Sequence, residues 1–301
     1  PTGTKMVKDI VPGANGSNPQ WLCAVGNKCY FTATTTAQGT ELWVSDGTDA
    51  GTTLVKDVYS GTSSSTPILL TAFGSKVLFF AMDPDSELLP VIDATKPEKW
   101  LWITDGTAAG TTRIGDTPTK ETGYDGLGGK IIVTKDLSKA FFIGYSADFN
   151  ETLWITDGTI IGTKPIKDIN PRLVTGSFAK TAPAAIEWMT LMGNKIIFRA
   201  ETVSEVTKNT SLGLNGDIGS EIWVSDGTAA GTNWIGIDFA VGMTGAAPKP
   251  TQFAWTLPIN DNLLLFRADD GVHDVEPCVL DLSKPFVALS NPKIVFDYNN
   301  W

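Results

Sequence analysis

The chain is short of several residues that carry common chemistries. It has one histidine, His273, and three cysteines, Cys23, Cys29 and Cys278, in 301 residues. A single imidazole excludes zinc sites built on several histidines, and no serine or cysteine stands in a motif that would make His273 a triad base. Lys and Arg number 23 against 33 Asp and Glu, a net charge of −10, and basic residues do not cluster beyond isolated pairs. Nucleic acid and anionic membranes are recognised through clustered positive charge, so the expected partners include neither. No stretch approaches the ~18 uninterrupted apolar residues of a spanning helix, which predicts no membrane insertion. The chain opens on Pro1 with neither Met nor a signal-peptide pattern, as expected of a processed product.

What the chain has is a repeat. The stretch ELWVSDGTDAGTTLVK from Glu41 returns as WLWITDGTAAGTTRI from Trp100, TLWITDGTIIGTKPIK from Thr152 and EIWVSDGTAAGTNWI from Glu221, with a worn copy, EPCVLDL, from Glu276. GTKMVKD from Gly3 is the back half of the same unit. The organising aspartates are Asp46, Asp105, Asp157, Asp226 and Asp281, spaced 59, 52, 69 and 55 residues apart. Self-similarity at such periods marks a propeller or a solenoid.

Each copy reads as a β-hairpin: a β-branched or aromatic run ends at Asp-Gly, and a second such run follows. Two more strand-like runs lie between successive hairpins, as in PILLTAF and KVLFFAM around Gly74-Ser75, with Gly26-Asn27 and Gly193-Asn194 in the same place. Four strands per unit and five units predict an all-β fold, a five-bladed β-propeller of four-stranded blades. The units are expected at about 3–50, 51–109, 110–161, 162–230 and 231–281, with 282–301 as a tail that could add a strand or dock. The N-terminal half-hairpin and the C-terminal EPCVLDL each lack the partner the other supplies. Pairing them in one blade would close the ring and remove two open sheet edges.

Cys278 takes the place of Trp43, Trp102, Trp154 and Trp223 and is expected to fill the same core position. Cys23 and Cys29 stand symmetrically about residue 26. A three-residue loop there would set them opposite each other, so a cross-strand disulfide and free thiols both fit. Asn15, Asn150 and Asn209 match the N-glycosylation acceptor pattern. Lys8, Lys56 and Lys167 are each followed by an aspartate and read as charge pairs at strand ends.

The residues ELWVSDGT, LWITDGT and EIWVSDGT, each followed by GT, resemble the ELWxxDGT repeat of large secreted and surface proteins of bacteria. The resemblance covers Gly3 to Asp281 and implies an extracellular repeat domain, secreted or at the cell surface; it implies fold and location rather than chemistry. The turn is also similar to the Asp-box of sialidase-type propellers, without keeping its SxDxG spacing.

A residue demanded by every unit is first a demand of the unit, so Asp46, Asp105, Asp157, Asp226 and Asp281 are read as structural turn residues. Function is sought where units differ. In an up-and-down sheet the Asp-Gly-Thr and Gly-Asn turns share one end, and the variable loops collect at the other, where binding residues usually sit. That end would carry the ligand-binding candidates Tyr59, Asp83, Asp85, Glu87, Tyr124, Tyr145, Phe149 and Asp217. Asp269, Asp270 and Asp274 bring hard oxygen ligands to one loop, the ingredients of a calcium site, although a solvated acidic loop also fits. No cofactor is required by this reading, and calcium at that loop is the one ion it allows for.

The expected function is a non-catalytic extracellular binding or adhesion module for a glycan or another extracellular polymer, with other surface proteins as further partners. Rings stack on the apolar faces of sugars while carboxylates and amides take their hydroxyls. Two alternatives are a glycoside-acting enzyme with paired carboxylates at the propeller axis, and a structural subunit of a surface filament or layer.

Overall fold

Alternating β-branched and aromatic residues punctuated by Asp-Gly and Gly-Asn dipeptides give strands and tight turns throughout. The computed structural model describes residues 3–83, 99–115, 130–145, 151–167, 169, 186–203, 217–235, 256–269 and 275–284, and among these there is no helix. The first sheet holds β1 (Gln20–Val25), β2 (Lys28–Thr35), β3 (Gly39–Ser45) and β4 (Thr53–Lys56). The second holds β5 (Ile68–Phe73), β6 (Lys76–Ala81), β7 (Trp100–Thr104) and β8 (Thr112–Arg113). The third holds β9 (Ile132–Val133), β10 (Ala140–Tyr145), β11 (Glu151–Thr156) and β12 (Lys164–Lys167). The fourth holds β13 (Ile186–Met192), β14 (Lys195–Val203), β15 (Asp217–Ser225) and β16 (Asn233–Trp234). The fifth holds three strands, β17 (Thr256–Pro258), β18 (Leu263–Asp269) and β19 (Val275–Asp281).

Every sheet follows chain order, each strand beside the next. The protein is thus all-β, with four four-stranded antiparallel sheets and one three-stranded sheet among the described residues. The chain forms two compact units, residues 1–149 with 154–165, and residues 150–153 with 166–301.

Strand alternation splits each sheet into two apolar faces. In the first unit, Tyr30, Leu42 and Val44 of the first sheet pack with Val77, Phe79 and Trp102 of the second. The other face of the second sheet, Leu78, Phe80, Leu101 and Ile103, packs with Phe142 and Trp154. In the second unit, Ile197, Ile222 and Val224 pack with Leu264, Phe266 and Cys278. The residue at the Trp position therefore faces the preceding sheet in each case, and the cysteine at 278 occupies it as a small hydrophobe. Cross-strand pairs support these faces: Phe79 stacks on Trp102 at 6.4 Å between centroids and Phe198 on Trp223 at 6.3 Å.

Two expectations are corrected here. Gly26-Asn27 forms a two-residue turn closed by Val25 and Lys28, with Gly26 at φ 58°, so the centre of symmetry falls between 26 and 27. Cys23 is then opposite Tyr30 and Cys29 opposite Ala24, and all three cysteines are free thiols. The two cysteines point to opposite faces of the sheet, which is the physical reason the disulfide reading fails. The expected ion pairs of Lys8 with Asp9 and of Lys56 with Asp57 are also not formed, because each lysine reaches away to another turn, while Asp168 lies outside the described residues. Lys56 Nζ instead donates to Thr111 O at 2.9 Å and lies 5.7 Å from the Trp102 ring centroid. Lys167 repeats this with Thr232 O at 2.9 Å and the Trp223 ring. Lys8 reaches the first sheet's turn at Asp49 O, 3.1 Å. Each lysine of this series fastens to the Asp-Gly-Thr turn of the sheet that follows it.

Candidate functional site

Each sheet has a fixed end and a variable end. Cys29 pairs with Ser45, so the Gly-Asn turn and the Asp-Gly-Thr turn lie side by side at one end. The Asp-Gly-Thr turn is a closed circuit of hydrogen bonds. Thr48 N and Oγ1 both donate to Asp46 Oδ1 (2.9 and 2.7 Å), and Gly51 N donates to Thr48 Oγ1 at 2.9 Å. Thr52 Oγ1 donates to Thr48 O at 2.7 Å and pairs with Ser45 Oγ, which in turn accepts Gly47 N–H. The same circuit surrounds Asp105, Asp157 and Asp226. Asp281 takes the corresponding pair of bonds from Ser283.

This geometry accounts for both glycines of the motif. Gly47 sits at φ 87°, in the left-handed region. A Cβ on Gly51 would lie 2.0 Å from Asp46 Oδ1, and the corresponding glycines at 110, 162 and 231 meet Asp105, Asp157 and Asp226 in the same way. Gly51→Ala is therefore expected to displace the carboxylate and lower the melting temperature. Gly16→Ala, whose added atom comes no closer than 4.0 Å to a neighbour, is the control in the same thermal denaturation experiment.

The Thr159 hydroxyl bond holds the Asp157 carboxyl below its ordinary value, and the equivalent Thr48 and Thr107 bonds do the same for Asp46 and Asp105. Loss of the two bonds in Asp157→Ala should cost roughly 1 kcal/mol, because the group is largely in solvent. Urea denaturation measures it.

At the opposite end the sheets differ. Glu41 is fully buried and clamps the connector between the first and second sheets. Its Oε1 accepts Ser65 N–H at 2.7 Å, and its Oε2 accepts Val58 N–H at 3.1 Å and the Ser65 hydroxyl. Burial pushes the Glu41 carboxyl up to about 7, against the opposing pull of the Ser65 hydroxyl and the backbone N–H groups of Ser65, Val58 and Tyr59. A related bond recurs in the second unit, where Ile186 N–H donates to Glu151 Oε2 at 3.2 Å.

The second sheet carries a different set. Asp83 follows β6, Trp100 opens β7 and Arg113 lies on β8, the outer strand. Arg113 Nη1 donates to Asp83 Oδ2 at 3.0 Å, with the guanidinium 5.9 Å from the Trp100 ring centroid. The arginine thus reaches across the start of β7 to the end of β6. The Asp83 side chain is 8% exposed and that of Arg113 32%, so the carboxylate is shielded while part of the guanidinium faces solvent.

Of the residues singled out from sequence, Tyr59 and Asp83 come to this region: the Tyr59 N–H serves Glu41, and Met82, next to Asp83, donates its N–H to Ser65 O at 2.8 Å. Asp85, Glu87, Tyr124, Phe149, Asp270 and Asp274 lie outside the described residues. Tyr145, Asp217 and Asp269 are placed only by their backbones, at the ends of β10, β15 and β18. Among the described residues no three His, Cys, Asp or Glu groups converge as a metal site.

No family model and no curated protein matches the chain. Among solved structures the chain is similar to the computationally designed Ika8 protein (TM-score 0.39, 12% identity, covering 89% of this chain and 59% of that one). It is similar to TolB from Acinetobacter baumannii (TM-score 0.35, 11% identity, 86% and 51%) and to a GH43 endo-arabinanase from Bacillus licheniformis (TM-score 0.31, 12% identity, 89% and 95%). It spans between half and three-fifths of the length of the first two. At such scores and identities these likenesses say nothing about activity.

Sequence reasoning passed over Glu41, Ser65, Trp100 and Arg113. A signal for one of them is present: Trp100 stands where the first, fourth and fifth copies have Glu41, Glu221 and Glu276 and the third has Thr152, whereas the place of Arg113 differs in every copy (Leu54, Pro165, Trp234).

Proposed function

We propose that the protein is a non-catalytic extracellular binding module that takes a glycan or another extracellular polymer at the sheet ends opposite the Asp-Gly-Thr turns. The scaffold proposed for it is a five-bladed propeller of the ELWxxDGT kind, closed by residues 3–10 beside β19. Lys8 meets the first sheet's turn much as Lys56 and Lys167 meet theirs, which supports reading residues 3–10 as the end of a unit that precedes the first sheet.

The observation that carries the binding reading is the asymmetry between the two ends. One end is bound up in the same self-satisfied circuit in sheet after sheet, leaving little to vary. The other presents unit-specific aromatic and charged groups on connectors. A catalytic carboxylic acid needs a raised pKa and access to substrate. The Glu41 carboxyl has the first, yet it is sealed from solvent with both oxygens occupied. Its perturbation serves the fold rather than a reaction.

A glycan array should show saturable binding, and the bound sugars should be recovered unhydrolysed. Reproducible product formation that disappears on removing one carboxylate would replace this reading with a glycoside-acting enzyme. An array without any binding would end it.

A further inference from the structure

From Asp83, Trp100 and Arg113 we infer that the polymer read by the second sheet carries carboxylate groups, as a uronic-acid polysaccharide does. The inference rests on the binding reading above and names the ligand class of one part of that surface.

The three residues are particular to one unit. At the places of Asp83, Trp100 and Arg113 the first sheet has Thr35, Glu41 and Leu54. The fold therefore does not need an arginine here, since the first sheet builds the same four strands without one. Together the three replacements take the formal charge of these positions from −1 in the first sheet to 0 in the second, and they bring a guanidinium to a place where the first sheet has an aliphatic side chain.

The geometry is that of a held arginine. Trp100 is 1% exposed and cannot itself touch a ligand, but its ring supports the guanidinium from beneath. Asp83 takes one Nη1 hydrogen at 3.0 Å and fixes the plane. A guanidinium has five N–H donors, and among the described residues Asp83 is the one acceptor Arg113 meets. The remaining donors form a flat, pre-oriented edge with part of the group in solvent. Such an edge matches the two oxygens of a carboxylate in a bidentate pair, and its orientation is fixed before the ligand arrives.

The test uses the full chain with polygalacturonate and its carboxyl-reduced, neutral form, read by isothermal titration calorimetry. Polygalacturonate should bind the unaltered protein, and the reduced polymer should bind it roughly ten- to hundredfold more weakly, the worth of a hydrogen-bonded charge pair. Arg113→Ala should lose a similar factor for polygalacturonate and nothing for the reduced form. Arg113→Lys, which keeps the charge but not the fork, should fall between the two and serves as the variant if Arg113→Ala does not fold.

Equal affinity for both polymers, or an unchanged affinity in Arg113→Ala and Arg113→Lys, would overturn the inference while leaving a glycan-binding function standing. Dextran sulfate and polyglutamate are the control polyanions. Binding as tight to either of them overturns the inference in favour of general charge attraction or an acidic protein partner. If no polysaccharide binds on the array either, the binding function falls together with it.

Discussion

Replacing Glu41 by alanine is expected to lower the unfolding free energy by roughly 3–5 kcal/mol, among the largest single-residue effects in the molecule. The carboxylate is the acceptor for the buried N–H groups of Ser65 and Val58, for the Tyr59 N–H and for the Ser65 hydroxyl. Each donor left without a partner costs about 1–3 kcal/mol, less where water can enter the vacated space. Urea denaturation at fixed pH measures the loss. A change below about 1 kcal/mol would mean that the connector finds other acceptors.

The same group predicts a pH dependence of known sign. Burial raises its pKa from 4.5 in a free chain to about 7, so between those values the folded state binds a proton that the unfolded state has released. Stability from this group is fully present below about 4.5, falls as pH rises towards 7 and is level above. At ~1.4 kcal/mol per pH unit the total is roughly 3 kcal/mol. The turn aspartates act in the opposite direction. Their carboxyls are held below 3.8, so their contribution is present above that value and is lost as pH falls through the depressed one. The unaltered protein should therefore unfold at a lower urea concentration at pH 7.5 than at pH 5. Glu41→Gln, which cannot ionise, should be destabilised at both and lack most of the difference. Equal slopes in the two proteins would show that another group titrates.

Trp102→Ala is the second large effect, expected at roughly 3–5 kcal/mol for removing a buried ring from a packed seam. Trp102 stacks on Phe79, supports Lys56 and lies among residues of both the first and the second sheets. The informative comparison is with Trp102→Phe. The Trp102 indole N–H is buried without a partner among the described residues, as are those of Trp43, Trp154 and Trp223. A ring without that donor gives up volume but also removes an unsatisfied polar group, so Trp102→Phe should cost well under half as much as Trp102→Ala. Calorimetric unfolding of the pair decides it. Equal losses would mean that the N–H has an acceptor, an ordered water being the first choice.

The strands and their turns were legible because they are local. An Asp-Gly or Gly-Asn dipeptide between β-branched runs states where the chain reverses, and the repeat states it several times over. The all-β fold and four of the five expected four-stranded sheets follow from that alone. The off-by-one register at Cys23 was not legible, since it depends on whether a turn uses two residues or three, a choice that Gly26-Asn27 resolves only through its backbone angles. The lysine contacts were missed for another reason. Lys56 and Thr111 are 55 residues apart in sequence, and nothing local to either announces the other. Glu41 looked like one more conserved-looking letter of the repeat, whereas its meaning lies in Ser65, a residue of the connector.

The lysine that ends one repeat and fastens on the next gives the chain a grammar of plug and receptacle. A unit so built carries half of its own neighbour's joint, which makes whole units the natural quantity to gain, lose or exchange. Hybrids spliced in the connector after such a lysine should keep both joints intact, whereas hybrids spliced inside a turn circuit should forfeit one.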